Sequence, residues 1–183
     1  MAMTNRFMLV IAVIMAMVAF SSCDPLMDRR APDGGLLTSD DATIAAVWVR
    51  VTDALDNRDK TAIRALFSQQ ALGQADNIDA QIDALLEFFQ GKITSQYYRN
   101  DDGSPATYED INGTEQTKEL QGYRYVHTDK RKYLFLVFYE AVDTTHPENV
   151  GLFTLRAYRG KDDDTLWEKA DWKKIPGISC KTV

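Results

Sequence analysis

Basic residues, histidine and cysteine are the scarce chemistry of this sequence, and each shortage removes a class of function. The 21 Lys and Arg are outnumbered by 27 Asp and Glu, for a formal net charge of -6. A nucleic-acid binder needs a basic patch that displaces counterions from phosphates. The densest basic cluster, Lys130-Arg131-Lys132, follows Asp129 between two strand-like runs and reads as a hairpin turn, so no nucleic-acid partner is expected. The 2 histidines, His127 and His146, lie on either side of a whole strand, and neither has an acid at ligand spacing in the sequence. Neither a metal nor a cofactor is therefore expected. The acidic run Asp162-Asp163-Asp164 lacks the alternating oxygen ligands and fixed glycine of a calcium loop and reads as a solvated turn before Leu166. Also missing is an apolar run of about 20 residues, the length that crosses a bilayer; Phe7–Phe20 is apolar throughout but stops at Ser21 and Ser22.

That short run has another use. A head carrying Arg6, then Phe7–Phe20, then small residues, is the order of a secretory signal over residues 1–22. Cys23 follows at once and resembles the invariant cysteine of a bacterial lipoprotein signal, whose thiol is alkylated with a diacylglyceryl group before the chain is cut in front of it. The lipobox usually has leucine three residues before that cysteine, where this chain has Phe20. Ala19-Phe20-Ser21 also offers a small-x-small site to the ordinary signal peptidase, which would leave Cys23 as a free thiol. The lipid reading accounts for both the cysteine and its position. Two acyl chains make a lasting anchor, since each buried methylene contributes about 0.8 kcal/mol and one chain alone holds marginally. The resemblance implies a location on the extracytoplasmic face of the cell membrane, with membrane lipid as a partner through diacylglyceryl-Cys23. A Cys23–Cys180 disulfide is the competing use of the 2 cysteines, and lipidation excludes it; Cys180 is then an incidental thiol. Residues 23–38 carry Pro25, Pro32, Gly34 and Gly35 without an apolar period and read as a stalk, followed by one domain over residues 39–183.

Within that domain the apolar period is helical first. Ile44, Val47, Trp48, Val51 and Leu55 form one stripe, with Asp40 and Asp41 in its first turn. Asp59 can cap a second helix with Ile63, Leu66 and Phe67 inward. A third runs from about Asn77 to Gln90 on Ile78, Ile82, Leu85 and Phe89, with Gly91 to end it. After Gly91 the period drops to two. Strands are expected over Lys92–Arg99, Ala106–Ile111, Leu120–Thr128, Tyr133–Val142 and Val150–Arg159, with a turn at Asn100 to Gly103. The last three should form an antiparallel meander. In it, "YLFLVFY", Tyr133–Tyr139, is apolar or aromatic at every position and so needs cover on both faces. A sharply bent sheet wrapping its own concave side supplies the second cover. The expected fold class is α+β, three helices packed on a curled antiparallel sheet of four to six strands, with a cavity opening between them.

A signal of this type, a stalk, three helices and then a curled sheet look like the nuclear transport factor 2-like (cystatin-like) fold. Tyr123–Arg159, "YRYVHTDKRKYLFLVFYEAVDTTHPENVGLFTLRAYR", resembles an uncharacterised family of small lipoproteins from Gram-positive bacteria, over roughly Thr38 to Ile178 and including "IPGI" at Ile175–Ile178. The resembling motifs are turns and strand patterns, which imply a fold and no activity. Enzymes of this fold place an Asp, His or Tyr inside the cone to move a proton. Tyr97, Tyr123, Tyr125, Tyr139 and Tyr158 all lie on strands; strand tyrosines commonly pack with the hydroxyl at a rim. No catalytic residue is assigned. Tyr97, Tyr125, Tyr139, Tyr158 and Trp48 are the candidate ligand contacts, and Glu140 and Arg156 are possible polar groups of a pocket. Two functions follow: a tethered module binding a small apolar ligand or an envelope protein, and an isomerase or dehydratase acting on a hydrophobic small molecule. A homodimer through the sheet fits the same fold.

Overall fold

The computed structural model describes residues 39–98 and 106–183. The expected signal segment, Cys23, the expected stalk and the expected turn at Asn100 to Gly103 lie outside the described residues.

Helix α1 spans Ser39–Asp56, with Asp40 and Asp41 in its first turn, where they complement the helix dipole. All five residues of its expected stripe are buried. Arg58, at φ 54, breaks the chain away from α1. The Asp59 carboxylate then accepts from Ala62 N at 2.9 Å and caps α2, Lys60–Ala65. The chain does not pass straight to a third helix as expected. Leu152 N donates to Leu66 O at 2.8 Å and Ser68 N to Leu152 O at 3.0 Å, so Phe67 is drawn into an isolated parallel bridge with Leu152. Ser68 then caps an additional short helix, α3, Gln69–Gln74. Asn77 caps α4, Ile78–Phe88. Four helices therefore precede the first strand, against three expected: backbone pairing with a distant strand ends the second before Phe67, and α3 is additional.

The strands are β1 Ile93–Tyr97, β2 Ala106–Asn112, β3 Glu115–Thr128, β4 Lys132–Asp143, β5 Gly151–Gly160 and β6 Gly177–Thr182. Their order is β1-β3-β4-β5-β6, with β2 also paired to β3. β1 pairs with the end of β3 at Tyr125 to Thr128 and β2 with its start at Glu115 to Gln121. Asp129 to Arg131 form the β3–β4 turn, closed by Thr128 N donating to Arg131 O at 2.8 Å, and Lys132 opens β4. β6 pairs parallel to β5, so the sheet is mixed and not antiparallel throughout as expected. Helix α5, Asp163–Lys169, lies in the crossover between them, as a parallel connection requires. Register shifts at Ile93/Ser95, Lys118/Glu119 and Phe138/Tyr139 put an irregularity in each of three strand pairs, β1–β3, β3–β4 and β4–β5; bulges bend strands and increase their twist, and the sheet is curled and unclosed.

Directly paired residues share a face. Val126, Tyr133, Phe135, Val137, Leu155 and Ala157 join the helix residues in the main core. Gly122 sits where α1 crosses β3: a Cβ there would lie 2.9 Å from Ile44 Cγ1. On the opposite face Tyr125, Leu134, Leu136 and Tyr158 form a second core with Leu166 of α5. Tyr133–Phe138 is buried without interruption, so both faces of β4 are covered, as its composition requires. The second cover differs from the expectation. It is α5 with the segment that follows it, packed on the sheet, and not the sheet wrapping its own concave side. Burial of Leu134, Leu136 and Leu166 contributes about 1.5–3 kcal/mol each, which is enough to hold a seven-residue helix too short to be stable alone.

Candidate functional site

The face under α5 carries a cluster of polar and aromatic side chains. Pairing sets Tyr97 opposite Tyr125 and, across β3, β4 and β5, Tyr125 beside Leu134 and Tyr158 and Tyr123 beside Leu136 and Arg156. Above them Asp162 caps α5, accepting from Thr165 N at 2.8 Å, and this turns Asp163 down onto the sheet. Asp163 Oδ1 lies 2.9 Å from His127 Nε2. Asp163 Oδ2 accepts the Tyr97 hydroxyl, and Tyr125 donates to the Asp163 carbonyl at 3.5 Å. Burial pushes the Asp163 carboxyl up, but the bonds from Tyr97 and His127 outweigh it and hold it below its usual range. The acidic run is thus the capped first turn of α5, not a solvated turn. His127 does have an acid partner, 36 residues along the chain, a distance at which no ligand-spacing motif could register. His146 is exposed, with Nδ1 3.3 Å from Glu148 Oε1.

Aromatic contacts continue from this cluster toward solvent. Tyr97 stacks on Tyr125 with centroids 5.4 Å apart; Tyr123 meets Tyr125 edge-on at 5.9 Å. Trp167 packs on Tyr123 at 5.1 Å, and Trp172 contacts both Tyr123, at 6.1 Å, and Trp167, at 6.0 Å. Trp172 is the open end, 39% exposed. Its segment is strapped down by Tyr158, whose hydroxyl donates to Asp171 O at 3.0 Å and accepts from Asp171 N at 2.9 Å. Arg156 adds a bond to Asp171 O at 2.7 Å and an ion pair to its carboxylate at 3.2 Å. Beyond Trp172, Lys174 pairs with Glu119, which lies directly across from Glu140. Burial raises the Glu140 carboxyl, with Lys174 opposing the shift.

The candidate ligand contacts therefore divide. Tyr97, Tyr125 and Tyr158 meet under α5, whereas Trp48 and Tyr139 pack on the helix side of the sheet; Arg156 holds Asp171 in the segment after α5, and Glu140 lies farther along β4, opposite Glu119. Sequence alternation within one strand gives period and not face, so it could not separate them. The missed residues are Asp163, Trp167 and Trp172; their signal was an Asx-capped pattern before Leu166, too short to stand out. An open groove of about 410 Å³ between α1 and α2, lined by Arg50, Asp53, Asn57 and Asp59 among others, contains none of the candidate contacts. Among the described residues no three His, Cys, Asp or Glu side chains converge as a metal site, and no helix is long and apolar enough to cross a membrane.

A family model matches residues 50–160, from within α1 to the end of β5, more than half of the chain; it is described as a domain of unknown function (DUF5104). The chain belongs to the DUF5104 family. Tyr97, Tyr125 and His127 fall inside the DUF5104 match, whereas Asp163, Trp167 and Trp172 lie beyond its end. No curated protein matches the chain.

Proposed function

We propose that this chain is an extracytoplasmic lipoprotein, anchored to the cell membrane through diacylglyceryl-Cys23 after removal of residues 1–22. Its domain, from residue 39, is read as a nuclear transport factor 2-like cone that binds a ligand or an envelope protein. The apolar run ending at Ser21-Ser22-Cys23 supports the anchor, and helices preceding a curled sheet support the fold. The observation that carries binding over catalysis is the aromatic strip Tyr123, Trp167 and Trp172, which reaches solvent at Trp172 beside Arg156 and Lys174. Trp, Tyr and Arg are the residues that dominate binding hot spots. Asp163, by contrast, has both carboxylate oxygens engaged, as a latch for α5 would.

Two experiments test the reading in producing cells. Palmitate label should enter the wild-type chain and not Cys23→Ser, and globomycin should cause the uncut precursor to accumulate; label that survives Cys23→Ser removes the anchor. A photoreactive residue at Trp172 should give a discrete adduct that one at Val49, exposed on α1, does not. Identical adducts from both positions, or none from 172, remove the binding surface. A second reading, an isomerase or dehydratase, is favoured by one feature, a carboxylate shared by Tyr97 and His127.

A further inference from the structure

On the helix side of the sheet, away from the aromatic strip, Arg124 has no conventional partner. Its guanidinium carbon lies 5.8 Å from the Trp48 ring centroid and 5.6 Å from that of Tyr98. Its cross-strand neighbours are Phe135 and, beyond it, Ala157, both buried. Nε is buried without a hydrogen-bond partner, and among the described residues no carboxylate or carbonyl is bonded to the group. Other arginines show what the chain ordinarily does. Arg64 pairs with Asp79, Arg156 with Asp171, and Arg159 donates to Phe88 O and Thr182. In a chain with 27 acids to 21 bases, leaving this half-buried cation without a counterion among the described residues is costly, and burial pulls its guanidinium below the ordinary range.

We propose that Arg124, held between the Trp48 and Tyr98 rings, is the anchor of a binding site for an apolar monocarboxylate. A guanidinium offers a planar fork of N–H donors that matches a carboxylate two-to-two, and a partner of that kind removes the cost of the unpaired charge. Tyr98, only half-buried, sets the rest of the ligand, since its ring favours hydrocarbon or aromatic surface, while Trp48, 2% exposed, closes the inner side. At the site, Arg124 is the uncommitted cation among the described residues, and it sets the ligand's charge. Arg159, on the neighbouring row of the same face, is already engaged, so a single negative charge fits better than a phosphate. The site is separate from Trp172 and does not depend on the anchor.

Calorimetric titration of the full chain with sodium decanoate, decanol and inorganic phosphate tests it. Decanoate is expected to bind at least roughly tenfold more tightly than decanol or phosphate, a difference of about 1.4 kcal/mol. Arg124→Met, which keeps the stem and removes the charge, is expected to bind decanoate no better than decanol. Its thermal melt should match or exceed that of wild type, because an uncompensated charge has gone. Arg124→Lys, which keeps the charge without the fork, should retain part of the preference. Should Arg124→Met fail to fold, the wild-type ratio and Arg124→Lys decide the matter. Equal affinity of the wild type for decanoate and decanol, no decanoate binding, a preference for phosphate, or decanoate binding unchanged in Arg124→Met would each overturn the site.

Discussion

Replacing Asp163 with alanine should release α5 from the sheet, and the size of the loss follows from its contacts. The carboxylate holds Tyr97 and His127, and a hydrogen bond to a charged group contributes about 1.5–3 kcal/mol. The Asp163 side chain is 21% exposed, which places both bonds at the weaker end, so the expected loss is about 2–4 kcal/mol. At about 2–4 °C per kcal/mol for a chain of this size, the melting temperature should fall by about 5–15 °C. The loss depends on pH in a definite direction. The folded chain holds the Asp163 carboxyl below its usual range, so as pH falls the unfolded chain takes up this proton first. The stabilisation is fully present above the unfolded carboxyl's value of about 3.9 and disappears as pH drops through the lower folded value. Urea midpoints of wild type and Asp163→Ala should therefore differ most at pH 7 and converge below about pH 3. Hydrogen exchange should accelerate first in Leu166 to Val183, the part held by the latch. Melting within about 1 °C of wild type at pH 7, or a gap that ignores pH, would refute the latch.

The other expectations concern the sheet and its thiol. Tyr133, whose hydroxyl donates to Phe88 O at 3.1 Å and accepts from Gln90 N at 2.8 Å, should lose about 1–3 kcal/mol as Tyr133→Phe in urea unfolding, because two backbone groups lose their partner. Gly122→Val should cost at least about 1–3 kcal/mol by the same measurement, since the new Cβ would lie 2.9 Å from Ile44 Cγ1; a neutral effect would mean that α1 is free to shift. Burial pushes the Cys180 thiol up to about 12, so iodoacetamide at pH 8 should label it slowly in the folded chain and rapidly in 6 M urea, with equal rates counting against burial.

Much of the architecture was legible because long elements repeat their signal. The α1 stripe of Ile44, Val47, Trp48, Val51 and Leu55 spans three turns, and all of it is buried. The unbroken Tyr133–Phe138 run was equally plain, since only a strand covered on both faces tolerates it. Shorter elements were not legible. Gln69–Gln74 has one buried residue, Ala71, and Gly177–Thr182 mixes Ile178 with Ser179 and Lys181, so neither shows a period. The pairing of β6 parallel to β5 depends on a crossover through α5, which local sequence does not encode.

By itself, then, the sequence determined the α+β class, the placing of helices ahead of the first strand and the need for two covers on β4, because burial imposes periodicity on each segment separately. Tertiary structure alone decided what the second cover is, which tyrosines meet, and that Asp163 joins His127 while Arg124 meets no acid among the described residues. Those facts depend on strand register and on the packing of distant segments, and no single segment carries either.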